Sequence, residues 1–343
     1  MKKIACLFFS LFVCVFFCFP QKIGILKGPS GIPSAYLMEN FSDNAEYEVF
    51  SGANFLLPKL IKGEVEIGFL PPNVAAKVYN VNKGAVVMAA VCGNGMVSLV
   101  TKDSSIKKLK DLKGKEIFVA GQGATPDFMF RYILKQNKIK FDGTKNSVQL
   151  SYSVPNAELA PSLILGKIQY AVVPEPFATV ACEKDKNILR AVDFQKEFFE
   201  LSGIENFPMT VIAVNAKFAK SNPEKVKKFL EEYKNASEWT LKNPKEAGLL
   251  VEKFQLGLNA QIVEKAIPKC AFVFETGNQA KNGIEKLLSV FMEFEPASVG
   301  GKLPDGGFYK KKKKSFCFFC CVSLFSLEIF FTGDRFTFDS SFS

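Results

Sequence analysis

From Lys22 to Phe194 short apolar runs alternate with helical patterns, and this rhythm constrains the fold more than any other feature. KIGIL (22–26) reads as a buried strand, and SGIPSAYLMENF (30–41) as a helix entered through Pro33. YEVFS (47–51) has the two-residue period of a strand, and ANFLLPKLIKG is a short helix ended by Gly63. VEIGFL (65–70) is a strand, PPNVAAKVYNVNKG (71–84) a helix begun by prolines and stopped by Gly84, and AVVMAAVC (85–92) another buried strand. Strands separated by single helices predict an α/β fold with mainly parallel sheet covered on both faces.

MVSLVTK (96–102) reads as a linking strand, and the polar KDSSIKKLKDLKGK (102–115) as a boundary. A second series follows: EIFVA, a helix over 125–139, VQLSYSV (148–154), a helix over 156–167, YAVVPE (170–175), a helix over 176–185 and LRAVDF (189–194). MTVIAV (209–214) is a strand long enough to cross back. Beyond it, residues 222–243, PKEAGLLVEKF, AQIVEKAI and NGIEKLLSVFMEF have amphipathic helical periodicity. Two α/β series followed by helices predict two lobes, with the chain crossing between them near 96–102 and 205–212. The boundaries expected are a first lobe from 21–97 plus 210–309 and a second from 98–209.

Composition removes several chemistries. The 343 residues include no His, which excludes Ser-His and Cys-His catalysis and imidazole metal sites. Only Arg131, Arg190 and Arg335 are Arg among 44 basic residues, a skew that reflects A/T-rich coding DNA rather than function. Of nine cysteines, Cys92, Cys182 and Cys270 lie in the body of the chain, too far apart in sequence for a disulfide framework or a zinc site. Each reads as a small buried apolar residue. No metal and no cofactor is expected. Eight basic and three acidic residues lie outside 22–309, so that span carries a net charge of +5 rather than the +10 of the whole chain. No basic stripe is interleaved with aromatics, so no nucleic-acid partner is expected.

The two ends differ from the body. Lys2 and Lys3 precede an uncharged apolar run from Ile4 to Phe19, the layout of a secretory signal peptide over 1–20. The run is short for a span, which needs about 20 residues. Cys18 is a candidate lipid-attachment site, although the phenylalanines before it depart from the small residues that a lipoprotein peptidase prefers. Lys310 to Lys314 open a tail (310–343) in which a second anchor would place the lysines on the exported side, and Glu328 interrupts its apolar run. Five successive lysines imply an A-rich codon run prone to slippage, so the tail reads as frameshifted or disordered.

The turn GQGATP (121–126) stands between a strand and a helix. Gly121 and Gly123 fit the start of a dinucleotide fingerprint, but its third glycine is Pro126, and the next strand ends in Ser153 and Val154 rather than an acid. No Gly-Lys-Ser/Thr follows, so it is not a phosphate P-loop either. Thr125 reads as the N-cap and Pro126 as the first helical position, leaving N–H groups that could seat an anion. Asp127 and Arg131, four apart, are expected to pair along the helix. KGPSGIP (27–33), SGANF (51–55), LPPN (70–73) and PEPF (174–177) occupy equivalent strand ends, where open α/β sheets bind ligands. Together these turns describe a cleft.

GPSGIP, KGEVEIGFLPPNVAAKVYN (62–80), LKGKEIFVAGQGATPDF (112–128) and AVVPEPFATVA (171–181) resemble solute-binding proteins of ABC importers, of the nitrate/sulfonate/taurine type that shares its fold with pyrimidine-precursor binders. The resemblance covers about residues 22–309. It implies the two-lobed type II periplasmic-binding-protein fold with two hinge crossovers and C-terminal helices, closing on a small organic or anionic solute. It further implies an exported monomer, periplasmic or attached to the outer face of the cytoplasmic membrane, that delivers its solute to an ABC permease and ATPase. Carried onto this chain, the cleft takes Ser30 and Gly31 from the first turn, Ser51, Gly52 and Asn54 from the second, and Pro72 and Asn73 from the third. The second lobe adds Gln122, Gly123, Ala124, Thr125, Ser153, Glu175 and Phe177. Glu175 has two readings, acceptor for a ligand amine or partner of backbone across the hinge. None of these positions is Arg or Lys. A thiamin-pyrimidine-synthase-like enzyme on the same fold takes its pyrimidine from its own His, and this chain has none. A ligand-sensing module for a membrane partner would need a separate signalling chain.

Overall fold

A computed structural model of the chain describes residues 20–43 and 45–309. Residues 1–19, with Cys18 and nearly all of the expected export signal, and the tail 310–343 lie outside the described residues. The first half builds one sheet through β1 (Gln21–Leu26), α1 (Gly31–Asn40), β2 (Ala45–Phe50), α2 (Ala53–Lys62), β3 (Ile67–Leu70), α3 (Pro72–Val81) and β4 (Val86–Asn94). The chain then enters a second sheet through β5 (Val97–Thr101), β6 (Glu116–Val119), α4 (Thr125–Gln136), β7 (Gln149–Ser151), α5 (Asn156–Ile164), β8 (Tyr170–Pro174), α6 (Phe177–Lys184), β9 (Leu189–Asp193) and α7 (Phe194–Ser202). It returns in β10 (Pro208–Asn215) and closes with α8 (Ala216–Ser221), α9 (Pro223–Lys242), α10 (Pro244–Lys253), α11 (Ala260–Ala266), β11 (Phe272–Glu275) and α12 (Asn278–Phe294).

The strand orders are β11-β4-β10-β3-β1-β2 and β7-β6-β8-β5-β9. Leaving out the edge strand β11, both sheets repeat one plan. The strand that arrives by a crossover, β10 in the first and β5 in the second, is inserted beside the third βα strand and runs antiparallel to both neighbours. The sheets are therefore mixed rather than mainly parallel: the β1–β2, β1–β3, β6–β7 and β6–β8 pairs are parallel, as each βαβ connection requires. The crossovers are short, at 95–96 and 203–207. Residues 102–115 connect two strands of the second sheet, so this polar stretch is a surface loop rather than a boundary.

Several elements differ from the sequence expectation. FQKEFFELS forms α7, started by the Asp193 carboxylate, which accepts the N–H groups of Gln195 and Lys196. FVFE forms β11, an edge strand against β4. The helix expected to reach 139 stops at Gln136, because Lys138 takes a left-handed backbone (φ 56°).

The near-continuous apolar runs of β4 and β5 follow from burial on both faces. Gly24 and Gly68 are cross-strand partners in β1 and β3, and a Cβ on them would lie 2.2 and 2.9 Å from Leu56 side-chain atoms. Their bare backbone lets α2 lie directly on the sheet. The main core runs through residues of both sheets, and α12 packs on α4 with the rings of Phe291 and Phe128 4.6 Å apart, both fully buried. Lys135 pairs with Glu293 across the same contact, and Lys265 of α11 with Glu183 of α6. Phe308 is fully buried and its carbonyl accepts the Met88 N–H at 2.9 Å, which ties residues up to Tyr309 into the first sheet.

Candidate functional site

Because β2, β1 and β3 are adjacent and parallel, the turns that follow them emerge side by side at one end of the first sheet. The Lys27 N–H donates to the Phe50 carbonyl at 2.9 Å and binds the first turn to the second. Ser30 precedes α1 and is buried, but its hydroxyl does not cap the helix, and its carbonyl accepts from Ser34 Oγ at 2.8 Å. The Gly31 N–H closes the turn onto the Gly28 carbonyl. Ser51 and Asn54 are exposed, with Gly52 between them as the cap residue of α2. Pro72 and Asn73 are the first two residues of α3 and both are buried; Asn73 Oδ1 has no hydrogen-bond partner. Phe55, in the first turn of α2, is 60% exposed.

The second sheet repeats the arrangement. β6 and β8 are adjacent and parallel, and the Ala120 N–H donates to the Val172 carbonyl, so GQGATP lies beside PEPF. Gly121 (φ 68°) and Gly123 (φ 70°) supply the left-handed backbone that this tight turn needs. The cap residue is Ala124, not Thr125, because the Phe128 N–H donates to the Ala124 carbonyl at 3.1 Å and the helix opens at Thr125, one residue earlier than expected. Thr125 is the first helical residue, 2% exposed, and its Oγ1 has no partner. Gln122 is exposed, while Gly123 and Ala124 are half-buried. The turn's N–H groups are less free than the sequence suggested. Gly121 N–H donates to Asn156 Oδ1 and Gly123 N–H to Asp127 Oδ2, both at 2.8 Å.

Asp127 is the hub of this turn. Arg131 donates from Nε to Oδ1 at 2.9 Å and from Nη2 to Oδ2 at 2.8 Å, the pairing that their spacing implied. Tyr152 Oη also donates to Oδ1, at 2.6 Å. Burial, with the Asp127 carboxylate beside it, pushes the Tyr152 phenol above its ordinary range. Tyr152 sits beyond the end of β7, which is shorter than the strand expected over 148–154, and Ser153 next to it is exposed, its Oγ 3.1 Å from Ser151 Oγ.

The Glu175 carboxylate is bonded within the second sheet's own elements. Its Oε1 accepts from Arg190 Nε at 3.0 Å and Nη2 at 2.6 Å, and Oε2 accepts the Thr179 N–H at 3.0 Å, in the first turn of α6. Arg190 Nη2 also reaches Thr179 Oγ1. Only the backbone of Glu175 touches a crossover, its N–H donating to the Met96 carbonyl at 2.8 Å. The Glu175–Pro176 bond is cis, and Phe177 is half-buried as the first residue of α6. Sequence reasoning missed Arg190 because it lies on β9, two strands from β8, where no local spacing announces the pairing.

The groups present can hydrogen-bond and contact a small molecule. Among the described residues no three His, Cys, Asp or Glu side chains come together to hold a metal ion. Burial pushes the Cys92 thiol up to about 12 and raises that of Cys182 as well, which keeps both thiols protonated at neutral pH. No helix among the described residues is long and apolar enough to cross a membrane.

The sequence and the structure were compared with known proteins. No curated protein sequence matches the chain significantly. Among solved structures, an ABC transporter protein from Parabacteroides distasonis superposes with a TM-score of 0.72 at 26% identity, covering 86% of this chain and 99% of that one. The periplasmic aliphatic sulphonate binding protein SsuA from Escherichia coli gives 0.68 at 15% identity, over 94% of this chain and 96% of its own. The periplasmic nitrate-binding protein NrtA from Synechocystis PCC 6803 gives 0.57 at 13% identity, over 82% and 84%. The two mixed sheets with their paired crossovers are thus the two-lobed fold of periplasmic binding proteins. The profile of the family described as NMT1/THI5 like matches residues 56–247, more than half of the chain. On that match the chain belongs to the NMT1/THI5-like family.

Proposed function

We propose that this protein is an extracytoplasmic solute-binding protein, which captures a small solute between its lobes and hands it to the permease and ATPase of an ABC importer. The observation that carries the reading is the repeated plan of the two sheets. Each gathers its Gly-, Pro- and Ser-rich turns at the carboxyl ends of adjacent parallel strands, and two short crossovers join them. Ligands bind at such strand ends in open α/β sheets, and short paired crossovers suit hinge closure. The likeness to periplasmic binding proteins supports the same reading.

In this reading the first lobe comprises 21–97 and 210–309 and the second 98–209. Ser30, Gly31, Ser51, Gly52, Asn54, Pro72 and Asn73 face the solute from the first, with Gln122, Gly123, Ala124, Thr125, Ser153 and Phe177 from the second. Glu175 shapes the PEPF turn rather than contacting the solute, and Phe55 joins Phe177 as an apolar wall. The basic, apolar N-terminus serves export, and the protein acts as a monomer that binds without turning its solute over.

Thermal-shift screening of the full chain against vitamins, pyrimidines, sulfonates and nitrate tests this. At least one compound should raise the melting temperature saturably. Failure of every compound, together with turnover of any of them, would overturn the reading.

A further inference from the structure

We infer that the end of the second sheet opposite the proposed cleft is a docking surface for a bilayer of anionic phospholipids; the inference is independent of the solute-binding reading.

Four connections share that end. β5 runs antiparallel to β8 and β9, pairing Thr101 with Tyr170 and Leu189, while β6 and β7 start side by side at Glu116 and Gln149. The connections 102–115, 137–148, 165–169 and 185–188 therefore meet there. Hydrogen bonds and an ion pair tie them together. Tyr170 Oη donates to Asp103 Oδ2 at 2.6 Å, and the Gly114 N–H to the Ser147 carbonyl at 3.1 Å. Lys102 Nζ donates to the Ile164 carbonyl at 2.9 Å and pairs with Asp185 at 2.7 Å. The turns 121–126 and 174–177 follow the other ends of β6 and β8, so a partner on the four connections leaves them open.

The four connections hold 11 basic and 4 acidic residues, a net of +7, and the rest of 22–309 holds 25 and 27, a net of −2. The whole positive excess of that span is thus gathered in 35 of its 288 residues. Helices α4, α5 and α6 end here, but their carboxyl ends bring only about half a negative charge each. Lysine-rich coding DNA would spread lysines evenly and does not account for the clustering. Elsewhere they are balanced: on α9, Lys227, Lys228 and Lys234 each pair with the Glu four residues on. Here Lys107, Lys110, Lys113, Lys138, Lys145 and Lys167 are exposed and form no ion pair among the described residues. The acids are engaged locally. Asp111 accepts the Lys107 and Lys108 N–H groups, Asp142 the Thr144 N–H and hydroxyl, and Asp185 the Asn187 N–H.

Leu165 selects the partner. It follows α5, next to the Ile164 carbonyl that Lys102 bonds, and is 68% exposed, more than any other large apolar side chain among the described residues. A leucine among lysines suits the boundary of an anionic bilayer, where an apolar side chain enters the acyl region and ammonium groups meet phosphates. A soluble polyanion would engage the lysines alone. Phe141, the one aromatic of the four connections, packs against the core rather than offering its ring to a nucleic-acid base.

Co-sedimentation of the full chain with vesicles tests the surface, using pure phosphatidylcholine and an equimolar mixture with phosphatidylglycerol. One variant carries Lys107→Gln, Lys110→Gln, Lys138→Gln and Lys145→Gln together. A control carries Lys83→Gln, Lys217→Gln, Lys242→Gln and Lys245→Gln, at exposed positions outside the four connections. Both lose the same charge and keep Lys2, Lys3 and Lys310 to Lys314, so only position distinguishes them. Each lysine at an anionic surface strengthens binding by about fivefold. The wild type should prefer the anionic vesicles, the first variant should lose at least about tenfold in affinity for them, and the control should lose far less. Leu165→Asn removes no charge; it should weaken vesicle binding by about tenfold and leave binding of inorganic polyphosphate unchanged. It also provides the readout if the fourfold variant does not fold. Equal losses in the two fourfold variants, or no preference for anionic vesicles, overturn the inference. Polyphosphate bound as tightly as the vesicles, with no effect of Leu165→Asn on either, overturns it in favour of a soluble polyanion.

Discussion

The backbone N–H of Gly95 donates to Asn206 Oδ1 at 3.0 Å, so the two crossovers are bonded directly to each other. The same oxygen accepts the Phe207 N–H at 2.8 Å. Gly95 is buried, and Asn206→Ala leaves its N–H without a partner, at a cost of about 1–3 kcal/mol. Urea denaturation should show that loss, and an unchanged midpoint would mean that the crossovers are held by their packing alone.

Arg131 neutralises a carboxylate that is almost wholly buried. Arg131→Met preserves much of the side-chain volume over Phe128 and Phe294 but leaves Asp127 charged and unpaired. We expect a loss of about 3 kcal/mol, with most of it recovered in the double variant with Asp127→Asn. Chemical denaturation of the two single variants and the double variant measures the coupling, and strict additivity would contradict it.

Thr125→Val removes a buried hydroxyl that has no hydrogen-bond partner within the protein. The variant should be as stable as the wild type or more stable by about 1 kcal/mol, since no hydrogen bond is lost. If Thr125 meets the solute, affinity should fall about five- to tenfold, the worth of one neutral hydrogen bond. Calorimetric titration separates the two effects.

Glu183 links α6 to α11 through Lys265, and that hydrogen bond, with a second from Lys186, holds its carboxyl down at about 2 from an ordinary 4.5. A depressed carboxylate stabilises the fold above its ordinary value, and the contribution disappears as pH falls from 4.5 towards 2. The protection of the α6 and α11 amides, each taken relative to its intrinsic exchange rate at that pH, should therefore fall over that interval. Glu183→Gln should show lower protection there at neutral pH and lose the pH dependence of that protection, and a variant that keeps the wild-type profile would assign the acid sensitivity elsewhere.

The strands and most helices of both sheets were legible because each apolar run carries its own period and its own turn residues, as in VEIGFL followed by PPNV. The inserted strands β5 and β10 were legible as strands, but their antiparallel direction was not, since direction depends on how the crossovers enter each sheet. Gly24 and Gly68 read as ordinary strand residues, and only the position of Leu56 explains them. At the candidate site, the Asp127–Arg131 pair followed from helical spacing. The Glu175–Arg190 pair did not, because β5 lies between the two strands that carry it. The cap of α4 was misplaced by one residue because Thr125 is a better cap by type than Ala124, yet it is the Ala124 carbonyl that accepts the first helical bond, from the Phe128 N–H.

The central claim is capture without chemistry, and the fate of a bound solute tests it most directly. The full chain is dialysed to equilibrium with the strongest compound from the thermal screen, then denatured, and the released solute is identified and quantified by mass spectrometry. The account predicts saturation at one molecule per chain, with the compound recovered unchanged. Recovery of a converted product, or retention that does not saturate, would contradict it.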